Sequence, residues 1–127
     1  MTENKENKRK IGNIGEDAVV RFLIRNGCRV VCRNYTVKGG EIDIIAEDGK
    51  HTHIVEVKLR RGNKENAMTA IDERKLEKLT YTAECFIRDE SFPEEIRGLP
   101  LVFDAAEVYL SENEAVVRYH ANIFAHL

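Results

Sequence analysis

The residues that could do chemistry are concentrated in one stretch, GGEIDIIAEDGKHTHIVEVKLRR, residues 39–61. Two apolar-rich runs flank Asp48-Gly49, the pattern of a β-hairpin. Inside those runs stand Glu41, Asp43, Glu56 and Lys58, where a strand prefers Val or Thr. Side chains alternate across a strand, so Glu41 and Asp43 share a face with Ile45, and Glu56 and Lys58 share one with Ile54. Ile42, Ile44 and Ala46 take the other face. A two-residue turn at Asp48-Gly49 pairs Asp43 with Ile54 and Glu41 with Glu56, gathering three carboxylates and an ammonium on one side of the sheet. Like charges so placed weaken a sheet and raise one another's pKa values. A divalent cation offsets that cost, since hard Mg²⁺ is held by one or two carboxylates, waters and phosphate oxygens. Lys58 then reaches a phosphate or a metal-activated water. An internal salt bridge of Lys58 with Glu56 or Glu41 on a solvated face accounts for the spacing equally well.

Two further acids stand beside apolar stripes. Glu16 has Val19, Val20 and Leu23 three, four and seven residues on, at the edge of a helical apolar face. It either has a partner in the interior or is a first-turn glutamate favoured by the helix dipole. Asp104 alternates with Val102, Ala106 and Val108 on one strand face, and could equally cap or pair with a basic residue.

The elements that must position these groups are readable from periodicity. Residues 1–9 are a polar tail rich in Lys, Asn and Glu, and residues 10–127 make one domain. A helix is expected from Ile11 to Asn26, its apolar side formed by Ile11, Ile14, Ala18, Val19, Phe22 and Leu23, with Gly27 as a left-handed cap. CRVVCRNY reads as a strand before the hairpin. A second helix is expected from Asn66 to Arg88, then a loop bracketed by Pro93 and Pro100. The strands LVFDAAEVYL and AVVRYHANIF follow, joined at Ser111–Glu114. The order predicts an α/β domain with about five strands flanked by helices.

Composition narrows the classes. The chain has 127 residues, 43% hydrophobic and 33% charged, with net charge −2. That suits a globular domain and excludes wholesale disorder. No run of about 18 apolar residues exists, so no membrane span is expected. MTENKENKRK lacks an apolar stretch behind its charges and is not a secretory signal, which makes the cytoplasm the default compartment. Basic residues gather between Lys58 and Lys78 while the region after Glu84 is acidic, a distribution compatible with a polyanion partner or with ordinary solvated faces. Cys28 and Cys32 on one strand would lie roughly 13 Å apart, too far for one zinc. They and Cys85 read as buried thiols. His51 and His53 read as exposed strand or turn residues.

Asp43, then Glu56, Val57 and Lys58, resembles the D…(D/E)xK signature of restriction-endonuclease-like nucleases, and Glu16 matches the extra helical acid of the Holliday-junction resolvase branch. From about Gly12 to Phe124 the chain resembles the bacterial YraN family. The pieces carrying that likeness are GNIGEDAVVRFLIRNG, the RNY after it, GGEIDIIAED, IVEVKLRR, the Lys75–Ala83 helix, Phe103-Asp104 and ANIFAH. The family carries a basic residue just before the Phe-Asp pair. Val102 stands there in this chain, so Asp104 is read as structural.

The resemblance implies a restriction-endonuclease-like mixed sheet flanked by helices. It further implies Asp43 and Glu56 holding Mg²⁺ or Mn²⁺, Glu16 binding the metal directly or through water, and Lys58 positioning the attacking water. Glu41 joins the metal group by geometry. Substrate backbone would lie along Arg60, Arg61, Lys64 and Lys75, contacts that read phosphates rather than bases. The implied function is a metal-dependent nuclease on DNA, selective for branches or junctions in recombination or repair. The other reading is a non-catalytic nucleic-acid-binding or adaptor module. Two symmetric cuts need two active sites, which makes a homodimer a hypothesis for sizing in solution. A protein that delivers substrate is a further partner class, and no membrane is expected.

Overall fold

The computed structural model describes residues 5–61 and 73–124. Lys64, the side chain of Arg61 and the expected first turns of the second helix lie outside the described residues.

The first helix, α1 (Lys5–Arg25), begins well before the expected Ile11. KENKRK consists largely of good helix formers, so the helix extends past the apolar repeat that reveals its packed part. Ala18, Val19 and Leu23 are buried, while Ile14, expected on the apolar side, is half exposed. The helix ends as predicted. Gly27 takes φ +86°, Gly27 N–H donates to Ile24 O (3.1 Å) and Cys28 N–H to Leu23 O (2.9 Å), a Schellman closure.

Five strands follow in sequence order across one sheet: β1 (Arg29–Val37), β2 (Gly40–Glu47), β3 (Thr52–Arg61), β4 (Leu101–Leu110) and β5 (Ala115–His120). Among the described residues only the β3–β4 pair is parallel; the others are antiparallel. Between them lie α2 (Glu73–Ile87) and a short α3 (Glu94–Arg97), the latter inside the expected loop. The mixed sheet flanked by helices is the expected fold. α1 crosses one face, where Val19, Leu23, Ile44, Val55, Ala106 and Val108 form a core. α2 lies on the other, over β1 and β2, closing a second core of Tyr35, Ile42, Ile45, Ile54, Leu79, Ala83 and Phe86. No described helix is long and apolar enough to cross a membrane.

The hairpin differs from the prediction in register. Asp48–His51 forms a four-residue turn, because the Asp48 carboxylate accepts from the Lys50 and His51 amides at 2.8 and 2.7 Å. Glu47 therefore pairs with Thr52, Ile45 with Ile54 and Ile44 with Val55. The ladder has moved by two residues. Strand faces repeat every two residues, so Ile44, Ala46 and Ile45 keep their predicted faces while every partner changes. Continuing this register sets Asp43 across from Glu56 instead of Ile54, and Glu41 across from Lys58 instead of Glu56. The pairing itself stops at Ile44–Val55, and Gly40–Asp43 stays with β1 alone.

The strict alternation also fails, at a bulge between Val30 and Cys32 and again beside Asp43. Ile42 packs beneath α2 although Ile44 packs beneath α1. The same reversal occurs on β1, where Arg33 reaches α1 and Tyr35 packs under α2. Between them Asn34, across from Asp43, has φ +53°, the left-handed region that Asn tolerates better than most residues. One left-handed residue thus turns the β1–β2 ribbon over beside Asp43.

Candidate metal centre

Where β2 parts from β3, a backbone amide loses its ladder partner. The Asp43 carboxylate takes it, accepting from Val57 N–H at 2.8 Å. The split is a cleft of about 820 Å³ whose walls include Glu41, Asp43, Glu56, Lys58, Lys75 and Lys78. Gly40 permits α2 to close over it: a Cβ there would stand 1.9 Å from Thr82 Oγ1. Three of the four predicted acids and Lys58 are brought together here.

Asp43 is the most perturbed carboxyl in the cleft. Burial pushes it up most; the Val57 amide opposes this, and the charges of Glu56, Glu16 and Glu41 add to the rise, leaving it at about 6. The two oxygens of the Glu56 carboxylate have different surroundings. Oε1 is ion-paired with Lys75 Nζ. Oε2 is buried and has no hydrogen-bond partner among the described residues. Burial works against the Lys75 ammonium, but the bond and charge of Glu56 outweigh it and raise its pKa.

The predicted roles separate at this point. Lys75, expected on substrate phosphate, sits on the carboxylate. Arg60, expected likewise, donates from Nε to the buried Glu107 at 3.2 Å. Glu16 does not line the cleft. Its Oε1 accepts from Asn34 Nδ2 at 3.3 Å and Arg33 at 3.4 Å, and only its charge is felt at Asp43. Arg33 and Asn34 escaped the sequence reading, although a polar Arg-Asn inside an otherwise apolar strand was the available signal. Among the described residues no three carboxylate, imidazole or thiol side chains are gathered tightly enough to form a preformed metal cage. Mg²⁺ does not require one, because waters and substrate phosphate complete its octahedron. The orphaned Glu56 oxygen and the proton-avid Asp43 are the donor set that fits such an ion.

A second acid cluster lies on the α1 face. Asp104 is 1% exposed. It accepts from Tyr119 OH (2.5 Å) and Asn122 N–H (2.7 Å), and lies 2.7 Å from His53 Nδ1. His53 Nε2 lies 2.9 Å from Asp48. His53 is therefore clamped between two carboxylates rather than exposed, and hydrogen bonding to Asp104 leads the causes that raise it to about 9. The parallel β3–β4 register brings these groups together, and no local pattern in the sequence foretells it.

Comparison with known proteins places the chain. The model of the Uncharacterised protein family UPF0102 matches residues 15–119. A UPF0102 protein of Caldicellulosiruptor saccharolyticus is 36% identical over 115 residues, covering 87% of this chain and 92% of the relative. One from Dictyoglomus turgidum is 35% identical, covering 89% and 93%, and one from Fusobacterium nucleatum is 40% identical, covering 68% and 73%. The matched span runs from Gly15, inside α1, through α2 and α3 and across the sheet to Tyr119 in β5, and the chain belongs to the UPF0102 (YraN) family.

Proposed function

We propose that this protein is a metal-dependent nuclease that hydrolyses phosphodiester bonds in DNA at the β2–β3 cleft. The observation that carries the reading is the buried, unpartnered Oε2 of Glu56, a residue that lines the cleft together with Asp43, whose proton affinity is raised, and Lys58. A buried polar atom without a partner is costly, and a cation at that point removes the cost. Asp43 and Glu56 would hold Mg²⁺ or Mn²⁺, with Glu41 reaching it through water and Glu16 tuning Asp43 from across the ribbon. The bound ion would polarise a phosphoryl oxygen and acidify a water. Lys58 would orient that water or neutralise charge developing on phosphate. These contacts select a backbone and its shape rather than a base sequence, which agrees with branched or junction DNA as substrate. A homodimer and a protein that delivers substrate belong to the same proposal.

A second reading has one observation in its favour. Lys75 already neutralises Glu56, as it would in a nucleic-acid-binding module that needs no metal. The test is cleavage of labelled single strand, duplex, flap and four-way junction in Mg²⁺, Mn²⁺ or EDTA, with Asp43→Asn prepared in parallel. Metal-dependent cutting that disappears in the variant supports the nuclease. Binding without cutting in every metal transfers the conclusion to the binding module.

A further inference from the structure

α2 lies over β1 and β2 and α3 beside the start of β3, while the main helix packing of β4 and β5 is to α1 on the opposite face, which leaves the far end of the β3–β5 half open among the described residues. The register turns that open half into a grid. Glu56 pairs with Ala105, which pairs with His120; the next row is Lys58, Glu107 and Arg118. Directly paired residues point to the same side, so the cleft acid and these groups share one surface. Strands are ~4.8 Å apart and alternate residues ~6.6 Å, which sets Arg118 roughly 10 Å from Lys58.

The centre of the grid is an acid, yet its charge is spent internally. Glu107 is 1% exposed, and its oxygens meet His120 Nε2 at 2.7 Å, Arg60 Nε at 3.2 Å and Tyr109 OH at 3.2 Å. That network is explained by stitching β3, β4 and β5 together. Arg118 is not. It is exposed, its guanidinium lies 5.6 Å above the Tyr109 ring, and among the described residues no carboxylate accepts from it. Cation–π stacking fixes the plane of an arginine while leaving its N–H fork free at the edge, the geometry that suits a phosphate.

We propose that this open half-face is a phosphate track, along which nucleic-acid backbone leaving the cleft crosses Lys58 and is gripped by Arg118. Glu107 is its positioning residue. The track rests on the nucleic-acid reading of the cleft. Its occupant is nucleic acid because the exposed charge is cationic and continuous with a site built for phosphodiesters.

The test uses the full chain and fluorescence anisotropy of labelled duplex and four-way junction in Ca²⁺ or EDTA, across a salt series. Arg118→Ala is expected to weaken binding about fivefold and to lower the salt slope by about one, the signature of one lost phosphate contact. Arg118→Lys should recover the slope. Glu107→Gln removes a negative charge, so simple electrostatics predicts tighter binding; weaker binding with unchanged thermal stability is the positioning result. Poly-glutamate at equal charge should not displace the DNA, and displacement would assign the face to an acidic protein instead. Wild type that binds DNA while Arg118→Ala matches it in affinity and slope overturns the track alone. Wild type that binds no nucleic acid overturns the cleft reading, and the track falls with it.

Discussion

Asp104 and Glu56 are inward-directed acids one register step apart on opposite faces of the same strand pair, since Asp104 pairs with Val55 and Glu56 with Ala105. Their surroundings differ in kind. Both oxygens of Asp104 are engaged, by Tyr119, His53 and the Asn122 amide. One oxygen of Glu56 is engaged by a lysine side chain that could leave, and the other has nothing. A satisfied buried acid rigidifies the fold that holds it, whereas an unsatisfied one is a cost retained for something else. The α1 face therefore uses Asp104 to tie β5 and the following residues to β3, whereas on the α2 face Glu56 keeps one oxygen that the proposed ion would take.

The strongest way to break this contrast is to neutralise the cleft. Asp43→Asn or Glu56→Gln is expected to reduce cleavage by about a thousandfold or more, the loss when a metal contact worth several kcal/mol is removed. Asp43→Asn should not lower stability at neutral pH, and Glu56→Gln should lose no more than the ~1 kcal/mol of its pair with Lys75. Asp43 rises from 3.8 to about 6 on folding, so the folded chain holds this proton more tightly than the unfolded chain. That contribution is present below the unfolded value and is lost as pH climbs through about 6. Wild type should lose on the order of 2 kcal/mol relative to Asp43→Asn across that window. Urea unfolding of both at pH 4 and 7.5 measures the difference, and a variant weaker than wild type at pH 7.5 would contradict it.

The α1 face should answer in the opposite way. Asp104→Ala strands Tyr119, His53 and the Asn122 amide, and about 3 kcal/mol of stability should be lost. Cleavage per folded molecule should persist at a temperature where the variant remains folded; abolished cleavage would mean the two clusters are one site. A smaller signal comes from His53. Its pKa is raised to about 9, so the stabilisation is complete below the unfolded value of 6.5 and vanishes as pH rises through about 9. The step should be roughly 2 kcal/mol and absent from His53→Gln, as read by urea unfolding at pH 6.5 and 9.5. Substitutions at Asp43 should leave it unchanged.

Local patterns in the sequence disclosed the local features. The α1 cap at Gly27, the limits of β4 and the faces of Ile44, Ile45 and Glu56 all follow from periods and turn residues that act over a few positions. The register of the hairpin did not, because it depends on the Asp48 carboxylate choosing amides two and three residues on. The turn-over of the ribbon at Asn34 depends on a single φ value. The partners of Arg60, Lys75 and His53 were beyond reach for another reason. Each is supplied by a pairing that joins distant segments, the parallel β3–β4 ladder or the approach of α2 to β3, and no spacing along the chain encodes such a distance. Residue types revealed that charge would be concentrated near Asp43 and Glu56. Which cations stand guard over that charge is a tertiary fact.

Lys75 gives the smallest and most discriminating effect. If its ammonium occupies the place of a metal on Glu56, binding an ion must first break that pair. The lysine is about two-fifths exposed, 39% at its side chain, so solvent already screens much of the attraction. An exposed pair is worth about 1 kcal/mol at most, which limits the gain in metal affinity from Lys75→Ala to roughly fivefold. Calorimetric titration of Mn²⁺ without nucleic acid measures that gain independently of any cleavage. The displaced lysine, free of Glu56 once the ion is bound, would be released towards substrate phosphate, so the same variant should bind DNA more weakly with metal than wild type does and equally well in EDTA. Tighter metal with weaker metal-dependent DNA binding identifies Lys75 as the group that trades a carboxylate for a phosphate. Unchanged metal affinity would mean that the ion and the lysine do not compete, and Glu56 would then resemble Asp104 more than it differs from it.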